Sequence, residues 1–144
     1  MLAYSSRQRV ASVTLALLRR TLVSMAQNPL DNVADVAIDT GRFKYVLIRV
    51  HDKQTDDKKE IVRGSASASY HADVYEAVRG ELEKAGRLET ECLGGGRIIH
   101  EPQKHHIEVF GHSEGYGRAD HKRTCEILRQ RFKDYDITWK NDGY

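Results

Sequence analysis

Cysteine is scarce in this chain, and long apolar runs are absent. The two cysteines, Cys92 and Cys125, are far apart in 144 residues and have no CxxC spacing. This pattern argues against a disulfide framework and a thiolate zinc site, and it favours a reducing compartment. No apolar run approaches the roughly 20 residues of a membrane-spanning helix, so we predict no membrane partner.

Acidic residues are missing from the start of the chain, where none occurs before Asp31. The basic residues there are interleaved with serines: Arg7, Arg9, Arg19 and Arg20. This composition resembles a mitochondrial transit peptide, but the arginines do not gather on one face of a helical wheel, and Met25 could serve as a second start. We expect residues 1–28 to be an added extension, on a cytoplasmic protein, with mitochondrial import as the alternative.

The net charge depends on that extension. The whole chain has 23 basic and 21 acidic residues, a net charge of +2. Without residues 1–24 the count becomes 19 basic against 21 acidic, a net charge of −2. A slightly acidic domain lacks the basic stripe of a nucleic-acid binder, and no recognisable RNA motif supplies paired aromatic platforms. We therefore predict no nucleic-acid partner.

After Pro29 the apolar pattern alternates between strand and helix spacing, which predicts one α/β domain over residues 29–144. In residues 43–50 both alternate sets of positions are apolar, as in a central strand covered on both faces, so helices should flank both sides of the sheet. The remaining predicted elements are strands at 60–65, 106–110 and 135–139, helices at 71–85 and 119–132, and a charged, solvated loop at 51–60.

A run of three glycines, Gly94 to Gly96, lies between two short apolar segments. Such a run can cradle a phosphate, but we favour a sharp turn that joins two strand segments. The spacing from Cys92 to Arg97 is one residue short of a cysteine-phosphatase loop, so that mechanism is disfavoured.

Two short motifs indicate a phosphate-handling site. His71 stands at the start of a predicted helix, and residues 113–117, Ser-Glu-Gly-Tyr-Gly, form a glycine-loosened loop whose amides can converge on an anion. Neither motif is specific alone. Ser113 lacks the GxSxG elbow of serine hydrolases, and the seven histidines lack the spacing of a shared metal site, so we predict no metal.

Five separated segments together resemble the Janus/ocnus family of small phosphohistidine phosphatases. In chain order they are residues 43–50, 70–75, 91–98, 116–117 and 141–144. The resemblance runs from about Asp31 to the C-terminus. It implies a mixed sheet with helices on both faces, no cofactor, and removal of phosphate from phosphohistidine-containing proteins and from phospholysine. We expect a monomer.

The resemblance also assigns site residues. It makes His71 the catalytic residue, and the phosphate-binding set is Lys44, Arg63, Ser113, Glu114 and Gly115. An imidazole with a pKa near 6.5 is mostly neutral at physiological pH, so His71 could attack phosphorus directly or deprotonate a water; both mechanisms remain open. His121 matches a family histidine and could assist, or it could be an exposed helix histidine.

Structural alternatives exist for several of these residues. Lys44 could lie at a sheet edge, Arg63 could form an ion pair, and Asp73 could complement the first helical turn. Glu114 stands where family members often have an uncharged side chain, which predicts weaker substrate binding. The alternative function is a phosphoprotein-binding adaptor that uses the same pocket without turnover.

Overall fold

The computed structural model describes residues 28–143. The chain divides into two compact units, residues 1–32 and 33–144. Within the first unit, the described residues form a 3-10 turn, Pro29–Asn32. The transit-peptide hypothesis and the second start at Met25 concern residues outside the described part of the chain.

The second unit is a six-stranded sheet with two helices, counted over its described residues. The elements are β1 (Val36–Ala37), β2 (Gly41–Asp52), β3 (Lys58–Ser65), α1 (His71–Glu83), β4 (Leu88–Glu101), a 3-10 turn (Pro102–Lys104), β5 (His106–Phe110), α2 (His121–Arg131) and β6 (Asp136–Trp139). The strand order is β1-β3-β2-β4-β5-β6. The outermost pairs, β1 with β3 and β5 with β6, are parallel and the others antiparallel, which confirms the predicted mixed sheet.

The two helices cover opposite faces of the sheet, and two neighbouring glycines of β4 show this directly. Successive strand residues point to opposite faces. A Cβ atom on Gly95 would lie 2.7 Å from the His71 ring, at the start of α1, whereas a Cβ atom on Gly96 would lie 2.7 Å from the His121 ring, at the start of α2. The prediction of helices on both faces is therefore confirmed.

Strand β2 is the centre of the core. Its side chains are almost fully buried on both faces: Tyr45, Val46, Leu47, Ile48 and Val50. Tyr45 and Leu47 pack in one apolar cluster with Cys125 and Leu128 of α2, while Val46 points to the α1 face. Each fully buried side chain of this size contributes roughly 1.5–3 kcal/mol. The predicted two-sided central strand is confirmed.

The predicted turn at the three glycines is wrong. Strand β4 runs through them without a break, and its register against β2 shifts because Leu47 pairs with Gly94 and Ile48 with Cys92, which leaves Leu93 as a bulge. Close packing explains the glycines. A Cβ atom on Gly94 would lie 2.7 Å from the backbone nitrogen of Ala119.

The predicted solvated loop is shorter than residues 51–60, because β2 extends to Asp52 and β3 begins at Lys58. Asp52 is fully buried, and its carboxylate accepts two hydrogen bonds of 2.9 Å from the Arg87 guanidinium. This guanidinium holds the pKa of Asp52 well below its usual range. The ion pair joins the end of β2 to the residue before β4.

Candidate functional site

A cavity of about 590 Å³ lies where the start of α1 meets the loop between β5 and α2. We call it the main cavity. Its lining residues are Lys44, Tyr70, His71, Ala72, Arg97, His112, Ser113, Glu114, Gly115 and Tyr116. The structure thus brings five of the six predicted site residues together, and Arg63 is the exception.

Strand pairing places the charged side chains of the main cavity beside His71. Lys44 of β2 is paired with Arg97 of β4, so both side chains lie on the same face of the sheet. Gly95, two residues before Arg97, lies on that face too, directly beneath the His71 ring. One imidazole and two cations therefore share this face.

The His71 ring is held in one tautomer. Its Nε2–H donates to the carbonyl oxygen of Gly96 over 2.8 Å, and because a carbonyl only accepts, Nε2 carries the proton. The ring's Cδ2 lies against Gly95. Nδ1 is opposite the Cδ2–Nε2 bond, so this nitrogen is turned away from the strand and keeps its lone pair.

The environment of His71 favours the uncharged imidazole. Burial lowers its pKa, the hydrogen bond to the Gly96 carbonyl opposes this, and the nearby charges of Lys44, Arg97 and His112 lower the pKa further. A neutral imidazole is the form that can act as a nucleophile or as a general base.

The loop of residues 113–117 is a tight turn that leaves amides at its tip. The Ser113 amide donates to the Gly117 carbonyl at 3.2 Å, and the Gly117 amide donates to the Ser113 carbonyl at 2.8 Å. The Ser113 hydroxyl oxygen accepts from the Tyr116 amide at 3.1 Å. Within residues 28–143, the amides of Glu114 and Gly115 have no hydrogen-bond partner, and both residues are exposed. Neighbouring amides of this kind suit an anion.

The start of α1 supplies a second group of donors. Its cap is Tyr70, whose amide donates to the Asp73 carboxylate over 2.9 Å. Asp73 therefore stabilises the first turn of the helix, as the structural alternative predicted. The first amides of a helix have no intrahelical acceptor, so those of His71 and Ala72 can serve a ligand in the main cavity, which both residues line.

Arg63 lies outside the lining of the main cavity. Its guanidinium donates to the backbone carbonyls of Ala34, at 2.7 Å, and Val62, at 3.0 Å. Arg97 lines the main cavity instead, and neither Arg97 nor Lys44 forms an ion pair among the described residues. The sequence suggested Arg97 only as the end of a cysteine-phosphatase loop. Its place in the site follows from its register opposite Lys44, which no local pattern in the sequence shows.

The other lining residues missed from the sequence are Tyr70, Ala72, His112 and Tyr116. Each is directly next to a predicted site residue. Adjacency in the chain was therefore the available signal. Glu114, predicted to weaken substrate binding, is exposed at the tip of the loop and lines the main cavity.

His121 is neither exposed nor part of the main cavity. Only 1% of it is exposed, its Nε2–H donates to the Gly111 carbonyl at 2.7 Å, and its Nδ1 accepts from the Tyr45 hydroxyl at 2.6 Å. It lies on the α2 face of the sheet, opposite His71. The interpretation as an exposed helix histidine was wrong.

The described residues offer little to other phosphatase chemistries. Cys92 is half-buried, and burial raises the pKa of its thiol, the reverse of what a thiolate nucleophile needs. In residues 28–143 no three or more His, Cys, Asp or Glu side chains are grouped so that they could hold a metal ion. No helix in this part of the chain is long and apolar enough to cross a membrane.

An imidazole beside two cations and two sets of amides is an arrangement that can bind an oxyanion, set in an α/β domain. Its family follows from comparison with known proteins. The model of the Janus/Ocnus family matches residues 30–136, and the chain belongs to this family, as its motifs predicted.

Three relatives show how similar this chain is to known members. It is 50% identical over 121 residues to the 14 kDa phosphohistidine phosphatase of Sus scrofa, and the aligned region covers 80% of this chain and 95% of the relative. The human protein of the same name is 48% identical over 126 residues, covering 83% of this chain and 100% of the relative. The sex-regulated protein janus-A of Drosophila pseudoobscura pseudoobscura is 45% identical over 130 residues, covering 87% of each chain.

Proposed function

We propose that this chain is a protein phosphohistidine phosphatase that hydrolyses the P–N bond of phosphohistidine in proteins without a metal ion. Phospholysine, which has the same type of bond, is its second substrate. The observation that carries the proposal is the lone pair on Nδ1 of His71, in a cavity with Lys44 and Arg97. Relatives about half identical to this chain are named for the same activity.

The main cavity suits the transition state of phosphoryl transfer. That transition state is loose and spreads negative charge over the three equatorial oxygens, so catalysis needs oriented donors and cations. In our proposal the amides of Glu114 and Gly115 bind one side of the phosphoryl group, and the start of α1 binds another. Lys44 and Arg97 neutralise the charge that develops.

His71 uses the Nδ1 lone pair in either of two mechanisms. In direct attack, a bond forms between Nδ1 and phosphorus while the substrate's P–N bond breaks, and water then hydrolyses the phosphorylated His71. In base catalysis, Nδ1 takes a proton from the water that attacks phosphorus. In both mechanisms the departing nitrogen receives its proton from water or is already protonated in the substrate.

Phosphate release from a phosphohistidine peptide, measured in EDTA, tests the proposal. We expect release by the intact protein and a loss of roughly 10²–10⁴-fold in a folded His71→Ala variant. His105→Ala, outside the lining of the main cavity, is the control and should retain the rate. Equal rates with and without His71 would remove it from the mechanism. Peptide binding without release by the intact protein would indicate the adaptor instead.

An alkaline quench distinguishes the two mechanisms, because phosphohistidine survives alkali. Radiolabelled substrate should leave label on the intact protein if Nδ1 attacks phosphorus, and His71→Ala should lose it. Inversion of configuration at phosphorus, without labelled protein, would assign the base mechanism, because direct attack followed by hydrolysis gives retention.

A further inference from the structure

A second, smaller cavity of about 190 Å³ adjoins the main cavity. The two share Lys44 and Arg97 in their linings. We call the smaller one the side cavity. Its lining adds Arg42, Phe43 and the small residues Ser65, Ala66 and Ala68, with no acidic side chain. Three cations thus border a space that can hold a carboxylate side chain.

Arg42 lines the side cavity and not the main cavity. It is exposed on β2, two residues before Lys44, so both side chains lie on one face of the strand, about 7 Å apart along it. Its guanidinium lies over the Phe110 ring, 5.2 Å from the ring centre. This cation–π contact packs the guanidinium against the sheet.

The segment after β3 keeps the side cavity open. Residues 65–69 alternate serine and alanine, so no bulky side chain fills the space beside Arg42. The segment is held in place by two hydrogen bonds. The Ala66 amide donates to the Asp39 carboxylate at 2.6 Å, and the hydroxyls of Ser65 and Ser67 are 2.9 Å apart.

We propose that the side cavity binds an acidic side chain of the protein substrate, two residues away from the phosphohistidine. In an extended peptide, side chains two residues apart point the same way and are separated by about 7 Å, which matches the spacing of Arg42 and Lys44. The carboxylate forms a charge-assisted hydrogen bond with Arg42. This inference rests on the proposed function, because it places the phosphohistidine in the main cavity.

Matched peptides test the subsite. Three phosphohistidine peptides carry Asp two residues before the phosphohistidine, Asp two residues after it, or Asn at both places. We expect kcat/KM for one Asp peptide to exceed that for the Asn peptide by about 5–10-fold at low salt, with the ratio falling as salt rises. Arg42→Gln should bring the ratio close to one, and Ala68→Phe should do so by filling the side cavity.

Arg49→Gln is the matched control. Arg49 is also on β2 but on the other face, where it pairs with Glu60 and Glu91. This variant should keep the Asp preference. Equal kcat/KM for all three peptides with the intact protein, or an unchanged preference in Arg42→Gln, would overturn the subsite.

A binding assay separates failure of the subsite from failure of the proposed function. The same peptides, dye-labelled and carrying a non-hydrolysable phosphonate analogue of phosphohistidine, report Kd without turnover. If none of the hydrolysable peptides is turned over, the phosphatase proposal fails, and the ratio of Kd values still decides the subsite. Equal Kd values for the Asp and Asn analogues would contradict the subsite even if hydrolysis is robust.

Discussion

At the scale of single residues, the chemistry that we propose for the main cavity depends on an uncharged His71. Its Nε2–H is committed to the Gly96 carbonyl, so protonation would occupy the Nδ1 lone pair. Burial and the positive charges of Lys44, Arg97 and His112 lower the pKa and so protect the reactive form. The cations therefore have two roles in our proposal: they bind phosphate and they keep the imidazole neutral.

Substitution of Lys44 or Arg97 should expose the second role. In our proposal the reactive form of His71 is deprotonated, so kcat/KM should fall as pH drops. Because the pKa of His71 is lowered, this acidic limb of the pH profile should lie below pH 6.5. In Lys44→Met and Arg97→Met a positive charge is gone, so this limb should move to higher pH. Each variant should also lose roughly 10–100-fold in kcat/KM from the missing phosphate contact. An unmoved limb would contradict the electrostatic role.

Glu114 is expected to weaken substrate binding, because its carboxylate lines the cavity in which our proposal places the phosphate. Glu114→Gln removes the negative charge and keeps the shape. KM for the phosphohistidine peptide should fall by roughly 2–5-fold at low salt, with the difference shrinking as salt rises. Glu81→Gln, an exposed substitution elsewhere on α1, should leave KM unchanged. A KM that rises in Glu114→Gln would show that the carboxylate contacts the substrate productively.

At the scale of elements, β4 shows why glycines mattered more for packing than for turning. A Cβ atom on Gly95 would lie 2.7 Å from the His71 ring and 2.9 Å from the Tyr45 carbonyl oxygen. Gly95→Ala should therefore displace the start of α1, destabilise the fold by about 1–3 kcal/mol and lower phosphatase activity. Urea unfolding and phosphate release measure the two effects.

Gly80→Ala is the matched control for this prediction. Gly80 lies within α1, is exposed, and has nothing within 4 Å of its Cβ position. Alanine favours a helix over glycine by about 1 kcal/mol, so this variant should gain stability and keep its activity. If Gly95→Ala proves as stable and as active as Gly80→Ala, the close packing of His71 on β4 is not important.

The same elements show how far sequence reasoning extends. Apolar periodicity was enough for β2 and for both helices, since their patterns depend on local spacing alone. It failed at β4, where three consecutive glycines look like a turn in the sequence. Glycine is needed there because His71, His121 and Ala119, from other parts of the chain, pack closely against the strand. Strand β1 has two residues, too few to show a period.

Some residues of the candidate site could likewise be predicted from local motifs, and others could not. His71 and the loop of residues 113–117 carry motifs of their own, and the structure brings them together. Arg97 could not be placed, because its position depends on strand register rather than on any local pattern. Arg63 is the reverse case. The resemblance assigned it to the phosphate, but its guanidinium faces the carbonyls of Ala34 and Val62.

At the scale of the whole molecule, each helix begins with a buried histidine, and the two lie on opposite faces of one sheet. Burial lowers the pKa of both His71 and His121. The unfolded chain, with histidine pKa values near 6.5, therefore binds more protons than the folded chain as pH falls below that value. The stability that these two histidines contribute is fully present above about pH 6.5 and is lost as pH falls toward their folded-state pKa values.

We therefore expect the urea midpoint of unfolding to be lower at pH 5.5 than at pH 7.5. Each histidine can contribute up to about 1.4 kcal/mol per pH unit in that window. A folded His71→Gln or His121→Gln variant should show a shallower dependence on pH, because one of the two groups no longer titrates. Equal midpoints at the two pH values, or the same slope in both variants as in the intact protein, would mean that these histidines do not link protonation to folding.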